Sequence, residues 1–422
     1  MSESTSSWTD LFQYAVISDV GMRRMNNQDS YLLVPAPDEA TWRTRGHLFV
    51  VADGMGAHAA GELASKLAVE GVTHHYRKQR QLSPPEAILR ALRETNGEIH
   101  QRGQANSEFH NMGTTCSALL LLPQGAVVAH VGDSRVYRVR GKTTEQLTFD
   151  HSLLWELQAA SASAGQKVPL NIPKHVITRS LGPQANVQVD LEGPLDIEPG
   201  DVFVLCSDGL TGKVADQELG IIASLLAPEP AAQLLVDLAN VRGGPDNITV
   251  LVIRANDGVA DRRQWRGEPL VVGQELRPPR RVHSATWALL VLGLVLAAGL
   301  AILQLYLAAA ISAAGGIVAL LTALWQLYGE PTEGGVTLTA GRQLGKAPYV
   351  RVETKPISAT IQPICESGED AIRSERLADW DERERARAIM AEANSKRMAG
   401  DATGCLQMLS VAMRLVAQRY AQ

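Results

Sequence analysis

From Thr286 to Tyr328 the chain carries no ionisable side chain other than tyrosine. This run is much longer than the roughly 20 residues a helix needs to cross a bilayer, so a membrane segment is expected at 286–328. Trp287, Tyr306 and Trp325 recur at about one bilayer thickness of helix, as interfacial aromatics of two passes would. Gly315-Gly316 is the only obvious break, and a turn there leaves Ile317 to Tyr328 short for a span. A hairpin is nevertheless the preferred reading over one long tilted helix. Arg277, Arg280 and Arg281 precede the run and mark that side as cytoplasmic. Met1 to Asp10 is polar, with no apolar stretch behind a basic start, so no secretory signal is expected. The N-terminal half should lie in the cytoplasm, anchored to membrane lipid at the inner (cell) membrane.

The remaining sequence is long enough for more than one ordinary core among its 422 residues. A net charge of −5, from 45 acidic and 40 basic residues, gives no positive field to hold a polynucleotide, so no nucleic-acid partner is expected. Cys116, Cys206, Cys365 and Cys405 are far apart and form no C-x-x-C pair, as in a reduced compartment.

Five stretches follow from composition and period: a flexible N-terminus at 1–12, a globular domain at 13–255, a linker at 256–285, the membrane segment at 286–328 and a C-terminal region at 329–422. In the globular domain, apolar β-branched runs read as strands at Tyr14 to Ile17, Leu48 to Ala52, Cys116 to Leu122, Ala126 to Val131, Val136 to Val139, Val202 to Cys206 and Ile248 to Ile253. Helical periodicity covers about Glu62 to Lys78, Pro85 to Arg102 and Ala231 to Asn240. At about 380–421 two helices meet at Gly400-Asp401, with Leu406, Leu409, Met413, Val416 and Tyr420 on one face. A helical hairpin packing on itself is expected there, with docking on a partner as the alternative.

Four acidic motifs carry the chemistry: Asp53-Gly-Met-Gly56, Gly132-Asp-Ser-Arg135, Ser207-Asp-Gly209 and Pro245-Asp-Asn247. Each alone is an ordinary turn. All four, however, stand beside apolar strands. Strands that bring carboxylates to one sheet edge crowd like charges, and a hard divalent cation is the natural counter-charge where no Lys or Arg run is near. Oxygen-only donors favour magnesium or manganese over zinc.

In order and spacing, Arg24-Met-Asn-Asn-Gln-Asp29, Asp53-Gly-Met-Gly-Ala-His-Ala-Ala-Gly61, Met112-Gly-Thr-Thr115, Val131-Gly-Asp-Ser-Arg135, Leu147-Thr-Phe-Asp-His-Ser152, Ile177-Thr-Arg-Ser-Leu-Gly182, Leu205-Cys-Ser-Asp-Gly-Leu-Thr211 and Gly244-Pro-Asp-Asn-Ile-Thr249 resemble the metal-dependent type 2C serine/threonine protein phosphatases. The match runs from about Gly21 to Val252. The resemblance implies an α+β fold, an α-β-β-α sandwich of two antiparallel sheets flanked by helices. It implies that Asp53 bridges two Mn2+ or Mg2+ ions, with the Gly54 carbonyl on one and Asp208 and Asp246 on the other, and that Asp133 joins Asp208 at a third, weaker site. Arg24 would bind phosphate through its planar donor fork, and Asp29 and Asn247 would orient metal-bound waters. The implied reaction is attack of a metal-bridging hydroxide on phosphoserine or phosphothreonine of proteins, opposing a cognate serine/threonine kinase.

The sequence departs from the family pattern in places. Gln28 stands where many relatives have Glu, and Met55 where animal relatives have a His proposed as general acid. His58 reads as a helix-start residue and Ala57 replaces a common glycine. Trp155 to Lys174 occupies the place of the family's substrate-facing flap. The alternative reading, a catalytically weak pseudophosphatase acting as a membrane signalling scaffold, has Gln28 as its only support.

Overall fold

The computed structural model describes residues 11–56, 59–164, 172–173, 176–259, 269–273, 284–328, 336–338, 344–374 and 382–420. The expectations placed on residues 1–10, on Ala57 and His58, and on the arginines at 277, 280 and 281 lie outside the described residues, as does most of the stretch read as a linker. Two compact units are formed, one from residues 1–270 with 338–422 and the other from 271–337.

The larger unit contains strands β1 (Phe12–Asp19), β2 (Asp29–Val34), β3 (His47–Met55), β4 (Gly113–Thr114), β5 (Cys116–Leu122), β6 (Gly125–Val131), β7 (Arg135–Arg140), β8 (Thr143–Gln146), β9 (Asp190–Leu195), β10 (Val202–Cys206) and β11 (Ile248–Ala255). One more strand, β14 (Val350–Glu353), comes from beyond the apolar run. The first sheet has the order β1-β11-β10-β7-β8-β14 and the second β2-β3-β5-β6-β9, with β4 added on β3. The pairings are antiparallel. Strand alternation assigns each side chain a layer. Phe203, Leu205, Leu251 and Ile253 meet Phe49, Val51, Leu119 and Val128 between the sheets. Val202, Val204, Cys206, Val250 and Val252 point the other way, into helices.

Those helices are α6 (Asp216–Leu225) and α7 (Pro228–Val241), while α2 (Ala60–Lys78) and α3 (Pro84–Ala105) cover the second sheet. The shorter α1 (Glu39–Arg45), α4 (Leu153–Ala164) and α5 (Asp208–Thr211) lie at strand ends. Proline at the first turn starts both α3 and α7 at no hydrogen-bonding cost, because the first amides of a helix have no partner within it. The architecture is the expected α-β-β-α sandwich.

The C-terminal region belongs to this same unit. Strand β14 extends the first sheet, with Val350 opposite Gln146 and Glu353 opposite Thr143. Helices α10 (Ser358–Arg373) and α12 (Ala402–Tyr420) then pack over α6 and α7, and α11 (Arg383–Met398) packs against α10 and α12. Of the predicted face, Leu406, Leu409, Met413 and Val416 are fully buried in one core with Leu234, Leu235 and Leu238 of α7, and Tyr420 packs against it partly buried. The pair at 380–421 thus forms where expected, but it docks on the sandwich as well as on itself. An isolated hairpin buries too little apolar surface to hold alone, and α7 supplies the missing face.

The second unit holds α8 (Ser284–Ile302), α9 (Tyr306–Tyr328) and a two-stranded sheet of β12 (Leu270–Val272) and β13 (Val336–Leu338). Ser284–Ile302 and Tyr306–Leu324 are each long and apolar enough to cross a membrane, and their apolar side chains are largely exposed. The break between them falls at 303–305, where Gln304 takes a φ of 59°, and not at Gly315-Gly316. Both glycines lie inside α9, and Gly316 faces the crossing: a methyl group on Gly293 of α8 would sit 3.0 Å from the Gly316 nitrogen, whereas Gly315 faces open space. Small residues let two apolar helices approach this closely. With the turn at Gln304, both arms are full length.

Candidate active site

The four acidic motifs end up at one end of the sandwich because each sits where a buried strand stops. Asp53 is near the end of β3, directly opposite Asp29 at the start of β2. Asp133 follows β6, Asp208 follows β10 as the first residue of α5, and Asp246 precedes β11. Asp53 is held from its backbone: its N–H donates to Thr115 Oγ1, and its carbonyl accepts from the Thr115 N–H and the Thr114 hydroxyl, each at 2.9 Å. Asp29 Oδ2 accepts from Ser207 Oγ at 2.7 Å, which ties β2 to the β10–α5 turn. Gly54 is required by packing, since a Cβ there would fall 2.0 Å from the Gly61 carbonyl oxygen.

The electrostatics are those of a site built for positive charge. Burial first, then repulsion from Asp29, Asp208, Asp133 and Asp246, drives the Asp53 carboxyl well above the usual range. Burial pushes Asp29 up to about 7 against the hydrogen bonds from Ser207 and Thr249, with Asp208 and Asp246 adding to the rise. Asp133 is likewise raised to about 7 by burial and by Asp208 and Asp150. Asp29 Oδ1 and Asp133 Oδ1 are buried with no hydrogen-bond partner among the described residues, a costly arrangement unless something else binds them. Among the described residues no three His, Cys, Asp or Glu side chains are gathered closely enough to enclose one ion by themselves. A hard ion that keeps several waters and takes one or two carboxylates does not need such a cage.

Arg24 sits at the rim with its Nη2 2.8 Å from Asp246 Oδ2, its side chain half exposed. This hydrogen bond holds the guanidinium pKa above its ordinary value. Asn247 is engaged with backbone: its Oδ1 accepts from the Gln28 N–H at 2.8 Å, and its Nδ2 donates to the carbonyls of Val20 and Asn26 at 2.9 and 3.0 Å. It therefore pins the β1–β2 loop that carries Arg24. The Gln28 carbonyl accepts from the Gly54 N–H at 3.1 Å, and its side-chain amide lies against Gly61.

All of the carboxylates singled out in the sequence converge. What sequence reasoning missed is the layer behind them. His151 Nδ1 accepts the Gly132 N–H at 3.0 Å and its own N–H donates to the Gly132 carbonyl at 2.8 Å, clamping the turn before Asp133. Arg135 Nη2 reaches Asp150 Oδ2 at 2.7 Å on the other side of that turn. The signal was present, since His151 lies in the Leu147 to Ser152 motif, but nothing in the sequence says what its ring faces.

Comparison with known proteins points to one family. The family profile of protein phosphatase 2C matches residues 23–243. Protein phosphatase PhpP of Streptococcus pneumoniae is 34% identical over 254 residues, 59% of this chain and 100% of its own length. The serine/threonine phosphatase stp of Listeria welshimeri is 33% identical over 57% of this chain and 94% of its own. The structure of the Mycobacterium tuberculosis serine/threonine phosphatase PstP/Ppp covers 58% of this chain and 99% of its own at 31% identity, with a TM-score of 0.50. The aligned carboxylates, the two-sheet sandwich and these matches give one answer: the chain belongs to the protein phosphatase 2C family and is a metal-dependent protein serine/threonine phosphatase.

Proposed function

We propose that the phosphatase is built from residues 13–255 together with 344–420, and that it works on phosphoproteins at the cytoplasmic face of the membrane in which α8 and α9 are embedded, opposing a serine/threonine kinase. The observation that carries the site assignment is the cluster of buried carboxylates around Asp53, each raising the pKa of its neighbours. The donor set is all oxygen and fits Mn2+ or Mg2+: Asp53, the Gly54 carbonyl, Asp208 and Asp246 would hold two ions, and Asp133 with Asp208 a third, weaker one. When bound, such ions acidify water and neutralise the phosphoryl oxygens as charge develops.

The protein's own groups complete the reading. Arg24, half exposed beside Asp246, presents its remaining donors to a phosphate at the rim. Asn247 holds the loop that aims it. Asp29, buried and bonded to Ser207, keeps one oxygen directed into the site. Support for the membrane placement comes from the two apolar helices lying in sequence between two parts of one compact unit, so both ends of the pair return to the same side.

Asp53→Asn is the direct test, on the full chain in detergent, with a phosphothreonine peptide and Mn2+. Turnover should fall by more than about a thousandfold. The metal-free variant should melt higher than wild type, because one charge leaves a crowded buried cluster, while Mn2+ should no longer raise its Tm. Near-wild-type turnover at saturating Mn2+ would overturn the assignment.

A further inference from the structure

Glu192 on β9 is 2% exposed, and its carboxylate is committed to the segment that follows the apolar helices. Oε2 accepts the N–H groups of Lys346 and Ala347, both at 2.8 Å, and Oε1 accepts the Tyr349 hydroxyl at 2.6 Å. The Tyr349 N–H donates to the Gln146 carbonyl at 2.9 Å, and two residues later Arg351 Nε reaches Glu145 Oε1 at 2.9 Å. So many polar partners fix the tyrosine ring in one place. That ring packs edge-on against Phe149 at 5.5 Å, and Phe149 packs edge-on against Trp155 of α4 at 5.3 Å.

Phe149 is also wired to the metal-site turn. His130 Nε2 donates to the Phe149 carbonyl at 3.1 Å and to the Gly132 carbonyl at 2.9 Å. His151 grips Gly132 by two further hydrogen bonds, and its ring stacks on His130 at 5.0 Å. Asp150, between them, holds Arg135. Residues 149–151 therefore secure both flanks of Asp133 and the start of α4.

We infer that Tyr349 is a positioning residue of the active site: latched by Glu192, its ring fixes Phe149, and through Phe149, His130 and His151 it sets the Gly132–Asp133 turn and the root of α4. The family match ends at residue 243, so Glu192 lies within it and Tyr349, with the segment that carries it, lies outside. The link to Asp133 rests on the reading of that residue as a metal-holding group. The latch also makes the active site depend on the segment that leaves the apolar helices.

The experiment uses the full chain in nanodiscs, with Tyr349→Ala and Tyr349→Phe. Hydrogen exchange without metal should run roughly tenfold faster at amides 149–156 in Tyr349→Ala, with α2 and α3 unchanged, and stay near wild type in Tyr349→Phe, which keeps the ring. Unchanged exchange at 149–156, or an equal rise throughout the fold, overturns the latch. Calorimetric titration with Mn2+ should show the weakest binding phase lost in Asp133→Asn and weakened about tenfold in Tyr349→Ala. If Asp133→Asn binds Mn2+ as wild type does, the reading of Asp133 fails. If Asp133→Asn loses the phase and Tyr349→Ala keeps it at full strength, the positioning role fails.

Discussion

Arg24 and Asp246 form an exposed ion pair, and pairs of this kind contribute little to stability, typically about 0–1 kcal/mol. Arg24→Ala should therefore leave the melting temperature almost unchanged. Its effect should appear in catalysis as a KM raised about tenfold with kcat much less affected, because a contact made to phosphate before reaction is largely uniform binding. Steady-state kinetics with a phosphopeptide decides the matter, and unchanged constants would leave Arg24 as a surface ion pair only. The carboxylates were legible one by one because Asp-Gly and Pro-Asp-Asn mark strand ends. Their convergence was suggested by the apolar strand beside each and made specific by the family resemblance, since spacing along a chain does not fix which strand ends are neighbours in space. His130 and His151 were not legible as clamps: both are fully buried, and the sequence does not say which carbonyls and amides a buried ring meets.

Helix α7 is buried on two sides, against the first sheet and against α12, and it carries a carboxylate into that interface. Asp237 is raised to about 7 by burial, while the Gln233 hydrogen bond and Arg414 on α12 lower it and Asp19 adds to the rise. Because the folded pKa lies above the unfolded one, the folded state binds the proton more tightly. Stability is lost as pH climbs from about 4 to about 7 and the deficit is constant above that. Asp237→Asn should remove this loss, raising Tm at pH 8 by about 2–4 °C for each kcal/mol recovered, with little change at pH 4. Thermal inactivation of the phosphatase should shift with it, since α7 and α12 share a core. Melting curves at the two pH values check this. The long apolar strands and the helices of strong period were readable in advance. Strand β8, with Thr143 to Gln146, was not, because its Glu145 is held by Arg138 and Arg351 rather than by an apolar pattern, and β9 was not, because Asp190, Glu192, Gly193 and Pro194 interrupt its apolar residues. The turn at Gln304 was missed because Gly-Gly reads as a break in water, whereas between packed apolar helices a glycine such as Gly316 allows the close approach to Gly293.

At the scale of the whole chain, the expected hairpin gains its support from the compact unit that residues 1–270 and 338–422 share. Cys116, Cys206, Cys365 and Cys405 are all buried, and Cys365 and Cys405 lie with their Sγ atoms 3.9 Å apart, so the native thiols give a membrane-impermeant probe little to label. Introduced cysteines at exposed positions report instead. Leu303→Cys, in the turn between the apolar helices, should label in intact cells, whereas Gln418→Cys on α12 should label only after the membrane is opened. Labelling of Gln418→Cys in intact cells would reject the two-pass arrangement. A ribosome makes both apolar helices before it makes Val350, so β8 waits as an open sheet edge and α7 with one face uncovered until the apolar segment has already left the exit tunnel. The sandwich is thus completed last at its β8–β14 seam, and a chain released before that seam is made carries the carboxylates of a phosphatase without its closing strand.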